Sequence, residues 1–145
     1  MRVCTLVVMA TVLMGAADGL PEDDRDRIQD TWVTISFEVN GRGAPPEAVK
    51  DIRTIFKDTV YVQKKGDEIL EEGTFTLDPD KKPRQIDFTI GKGQDQGKDQ
   101  FGIYELDGDT LKICVAAPGA EVRPTEFKTG PESQTVLVVM KRVKP

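Results

Sequence analysis

The sequence predicts an all-β fold: an eight-stranded antiparallel up-and-down barrel with one short helix after the first strand. Three observations lead there. Apolar and polar residues alternate over several short runs, the period of a strand with one buried face. Gly, Asn, Asp and Pro punctuate those runs at turn spacing. No segment reads as a helix long enough for a parallel crossover, so neighbouring strands should pair antiparallel. Eight such strands in sequence commonly close into a barrel, which removes exposed edges. A two-sheet sandwich is the alternative.

Thr31 to Val39 opens the series, with Val33, Ile35, Phe37 and Val39 on one face and Asn40-Gly41 as its turn. Pro45-Pro46 then start a short helix whose apolar side is Ala48, Val49 and Ile52. Arg53 to Phe56 and Thr59 to Gln63 form a pair around Lys57-Asp58. Gly66-Asp67 leads to Ile69 to Leu77, where Gly73 marks a bulge or a close backbone approach. Arg84 to Ile90 alternates with Ile86, Phe88 and Ile90 together, and a Gly-rich polar loop, 91–99, follows. Gln100 to Leu106, the Asp107-Gly108-Asp109 turn and Thr110 to Ala116 make the clearest hairpin. After the long 116–134 loop, Thr135 to Arg142 is apolar on both faces and should be central or covered. The expected core joins Val33/Ile35/Phe37, Val60/Val62, Phe75/Leu77, Ile86/Phe88/Ile90, Phe101/Ile103 and Leu111/Ile113/Val115.

The chain has 145 residues, 38% hydrophobic and 31% charged, which suits one packed domain. Its net charge of −5 gives no general attraction for phosphate backbones, so nucleic acid is not an expected partner. Residues 1–17 read as a signal peptide: Arg2, an uncharged run from Val3 to Met14 too short to span a bilayer, then Gly15, Ala16 and Ala17. Cleavage is expected after Ala17, with Gly19 as second choice. The organisation is then a leader (1–17), a polar arm (18–27) and a barrel domain (28–143), exported to the periplasm or medium, with no stable membrane span after cleavage. Cleavage removes Cys4 and leaves Cys114 without an intrachain partner, most simply a small buried hydrophobe.

The chain contains no histidine. That removes the usual general base near neutral pH and the commonest transition-metal ligand, along with Ser-His-Asp and Cys-His arrangements. Glu71 and Glu72 are adjacent, so in a strand they face opposite sides and cannot converge. Asp107 and Asp109 serve a hairpin turn, and Asp95 and Asp99 lie in a polar loop without calcium-loop spacing. No catalytic set, metal site or cofactor is expected.

Several segments carry a family resemblance: Ile28-Gln29-Asp30-Thr31-Trp32, Glu72 to Pro79, Lys82 to Asp87, Gly102 to Cys114, Arg123 to Phe127 and Val136 to Val139. In this order they resemble an uncharacterised lipocalin-like domain family known from planctomycete bacteria, often found behind a signal peptide. The resemblance covers about residues 27–143 and implies an eight-stranded lipocalin-like barrel, with no activity attached. One departure stands out: the family tends to carry Gly two residues before the Trp, where this chain has Asp30.

A barrel of this size encloses space that side chains can just fill, or that holds one small ligand. In the binding reading, Trp32, Phe88 and Tyr104 line that space, and Arg123 near a mouth reads a carboxylate or phosphate. In the structural reading, Trp32 plugs one end, Phe88 and Tyr104 pack the core, and Arg123 pairs with Glu105 or Glu126. The leading expectation is a non-enzymatic exported barrel that binds a small apolar or amphipathic molecule. The alternative is a structural or interaction module that contacts an envelope protein through its outer surface or the 116–134 loop. An enclosed apolar cavity with one or two charged groups favours the first. A filled interior with an exposed apolar patch favours the second, and a cleft with two close carboxylates would favour an enzyme.

Overall fold

The computed structural model describes residues 23–144. The leader and residues 18–22 of the polar arm lie outside them. Nine strands follow one another: β1 (Asp30–Val39), β2 (Arg42–Gly43), β3 (Ile52–Lys57), β4 (Val60–Lys65), β5 (Glu68–Asp78), β6 (Arg84–Lys92), β7 (Asp99–Asp107), β8 (Thr110–Val115) and β9 (Val136–Arg142). Two helices of one turn each, α1 (Asp24–Arg27) and α2 (Pro46–Val49), complete the elements. All pairings are antiparallel between neighbours, and β9 returns to pair with β1. The eight long strands thus form a closed barrel, with the two-residue β2 appended to β1. β9 is hydrogen-bonded on both sides, the central position expected of it. The closed barrel with a short helix after the first strand agrees with the sequence expectation, and the sandwich does not form.

Bulges decide which residues face inward. In β1 the register against β9 steps from Thr34↔Met140 to Ser36↔Val139, leaving Ile35 as the extra residue. One inserted residue reverses the alternation. Val33 and Ile35 therefore face out, Ile35 being 45% exposed, while Trp32, Thr34, Phe37 and Val39 lie on the inner side. The single face expected for Val33, Ile35, Phe37 and Val39 is corrected accordingly. A second correction concerns β4: Tyr61 stands opposite Phe56 and is buried, so Val60 and Val62 are on the outside. A third concerns β7, where Tyr104 and Leu106 point into the core and Phe101 and Ile103 lie on the outer face.

That outer face is still dry. Ile103 and Cys114 sit opposite each other across β7 and β8 and are 1% and 0% exposed. The segment 116–135 covers them. The Cys114 thiol lies 3.8 Å from the Lys128 carbonyl oxygen, Lys112 stands over the Phe127 ring, and Arg123 stands over the Phe101 ring. The molecule thus has an inner core and a smaller satellite layer outside one wall.

Gly73 sits at the register shift between β5 and β6, as its place within the strand suggests. A Cβ there would overlap the Thr89 carbonyl oxygen and crowd the Gly91 amide. Backbone atoms cannot yield as a flexible side chain does, so Gly73→Ala is expected to lower the unfolding free energy by about 2 kcal/mol. Chemical denaturation of the variant beside wild type reads this directly, and an unchanged midpoint would show that the bend tolerates a side chain.

Candidate functional site

The barrel interior is asymmetric along its axis. At one end stand Trp32, Phe56, Leu77, Ile86, Tyr104, Leu106 and Leu111, all buried. They fill that end, and α1 lies against it. The Trp32 indole donates to the Ile28 carbonyl oxygen at 2.9 Å. Asp24, only 6% exposed, accepts from the Tyr104 hydroxyl at 2.6 Å, and Arg84 and Arg27 each approach it at 3.1 Å. A buried carboxylate requires such partners. Burial, followed by the bond to Asp24, pushes the Tyr104 phenol pKa upward, so its proton stays on the oxygen and in the bond.

Arg142 ties the same end to the last strand. Its guanidinium donates to Asp30 at 3.0 Å, to Asp109 at 3.2 Å and to the Arg27 carbonyl at 2.9 Å, and lies 4.4 Å from the centre of the Trp32 ring. Asp30 also accepts from the Thr31 amide. That backbone bond, then Arg142, holds its carboxyl below the usual carboxylate range.

The other end holds a cavity of about 290 Å³. Its walls are Phe37, Phe88, Ile113, Val115, Val136, Val138 and Met140, with Pro118 from the loop after β8. Polar groups gather toward its mouth: Gln63 from β4, Glu71 from β5, Gln100 from β7 and Asp95 from the β6–β7 loop, and Tyr61 of β4, opposite Phe56, lines the space from nearer the filled end. Thr54 also lines it. The Tyr61 hydroxyl donates to Glu71 Oε1 at 2.7 Å, and the Tyr61 ring packs edge-on against Phe88 with centroids 4.9 Å apart. Burial pushes the Glu71 pKa above its ordinary value of 4.5; the Tyr61 bond opposes this and the Asp95 charge adds to it. Tyr61 is itself pushed upward, chiefly by burial and then by Glu71.

The four residues proposed from sequence therefore separate. Phe88 lines the cavity. Trp32 and Tyr104 belong to the filled end, where Trp32 acts as the plug of the structural reading and Tyr104 serves Asp24. Arg123 does not reach the interior. It belongs to the 116–135 segment and reaches back to the outer wall, donating to the Gly102 carbonyl at 2.7 Å and pairing with Asp87 at 2.6 Å rather than with Glu105 or Glu126. The outward turn of β7 and the outer position of Asp87 put it there. Glu71 and Glu72 do face opposite sides: Glu72 meets Lys92 outside at 2.9 Å, and Glu71 turns inward. Sequence reasoning used that opposition only to exclude a convergent pair and so missed Glu71. The signal available was the alternation itself, since Glu71 lies two residues before Gly73 and four before the inward Phe75. No cluster of three or more Cys, Asp or Glu suited to a metal occurs among the described residues.

No protein-family model, curated protein or solved structure was found to match the chain.

Two outcomes follow from this geometry. Removing the Arg123 side chain frees the segment over Cys114, so Arg123→Ala should speed alkylation of that thiol at least tenfold, followed by peptide mass spectrometry; an unaltered rate would assign the covering to other contacts. The second concerns pH. Glu71 holds its proton more tightly folded than unfolded, so its contribution to stability is full below the ordinary carboxylate pKa and is lost as pH rises through the raised value. Glu71→Gln should therefore gain stability on wild type between about pH 4 and neutrality. Thermal unfolding across that range checks it, and a variant less stable at pH 7 than at pH 4, relative to wild type, would contradict it.

Proposed function

We propose that this chain is an exported, lipocalin-like barrel that binds a small, partly apolar ligand and carries out no reaction of its own. The observation that carries the reading is the asymmetry of the interior. One end is packed solid under α1, and the other retains about 290 Å³ walled by Phe37, Phe88, Ile113, Val115, Val136, Val138 and Met140. That volume is at the small end of ligand pockets, and apolar walls with a few polar groups at the rim match their usual chemistry. A barrel of eight strands holds one small ligand at most. Export rests on the leader-like residues 1–17.

Native mass spectrometry of the protein purified gently from its own cells tests this. A reproducible small-molecule adduct, lost on denaturation, is expected. Val138→Trp, which fills the cavity from β9, should lose the adduct while keeping a cooperative unfolding transition. A bare mass for the wild-type protein would overturn the binding reading in favour of a contact module working through its outer surface.

A further inference from the structure

Resting on the binding reading above, we propose that the cavity selects an amphipathic cation: an apolar body of about ten heavy atoms carrying a protonated amine that meets Glu71 at the mouth. The size follows from the volume, since 290 Å³ corresponds to about ten water-sized volumes. The charge follows from what lines the space. Its charged side chains are both acidic, Glu71 and Asp95, and no Lys or Arg lines it among the described residues.

The two carboxylates are not equivalent. Asp95 has Lys98 at 3.3 Å, a pair in which the lysine is 53% exposed and solvent weakens the attraction. Glu71 is half-buried and has no ion-pair partner among the described residues. Its Oε1 accepts from Tyr61, and Oε2 carries no hydrogen bond among those residues. The mouth thus offers a free acceptor on a partly desolvated carboxylate, with a second negative charge nearby.

Three headgroups fare differently there. A carboxylate or phosphate would lose hydration and meet like charge. A hydroxyl would gain one neutral hydrogen bond. An ammonium would gain a charge-assisted bond where the dielectric is below that of bulk water. The cation also offsets the burial that disfavours ionised Glu71, so ligand and ionised Glu71 favour each other. Affinity should fall as pH drops and Glu71 takes up its proton. The other titratable or charged groups facing it are Tyr61 from β4 and Asp95, with Lys98 behind it, from the β6–β7 loop.

Calorimetry with three ligands of equal chain length, octylammonium, 1-octanol and octanoate, separates the possibilities on the full chain. Octylammonium is expected to bind at least tenfold tighter than 1-octanol, with octanoate weakest. Glu71→Gln should bring octylammonium to within a few-fold of 1-octanol, and Asp95→Asn should reduce the preference by a smaller factor. Equal binding of amine and alcohol, or tighter binding of octanoate, would overturn the cation preference and leave the binding reading intact. No uptake of any of the three by wild-type protein would overturn both.

Discussion

The structure depends on the buried carboxylate of Asp24. A closed eight-stranded barrel leaves an interior that side chains can only just fill, and here one end is stoppered while the other keeps a cavity. Here the stopper is a single helical turn, too short to be stable by itself. Asp24 fixes it by accepting from Tyr104 on β7, Arg84 on β6 and Arg27 on its own turn. Arg27 reaches on to the Leu106 carbonyl, and Arg25 to that of Leu77. Arg142 then joins the turn, β1 and the β7–β8 hairpin over the face of Trp32. Removing one partner from such a cluster leaves a charge buried without compensation, which is why the arrangement holds as a unit.

The far end of the barrel is not filled in the same way. Trp32, Phe56 and Tyr104 occupy the sealed half, while Phe37, Tyr61 and Phe88 join valines, Ile113 and Met140 around the other. The cavity is the space those side chains leave between them. Its rim is polar because the strands there run into solvent, and Glu71 is drawn inward by the alternation that buries Phe75 and Leu77.

Much of this was legible in the sequence. The strands, the β7–β8 hairpin and the bend at Gly73 follow from period-two patterning and turn chemistry, which are local properties. The facing of individual strands was less legible. The bulge at Ile35 leaves no local mark, because Val33, Ile35, Phe37 and Val39 alternate faultlessly whether or not the register slips. Phe101 and Ile103 look like inner-face residues because they are apolar at period-two spacing, but the layer that covers them arrives from the 116–135 segment. The site was legible only in part. Phe88 lines it, while Arg123 is a clamp for that segment, and Glu71 was passed over although its alternation with Phe75 and Leu77 puts it on the inner side of β5.

The most direct test of the account is a methyl-resolved NMR titration of the protein with 1-octanol, which probes the interior without engaging charge. Saturable shifts are expected at Ile113, Val115, Val136, Val138 and Met140, with Ile28, Ile86, Leu106 and Leu111 at the sealed end unmoved. Shifts spread evenly over both sets, or confined to the sealed end, would contradict a barrel stoppered by Asp24 and open beside Glu71.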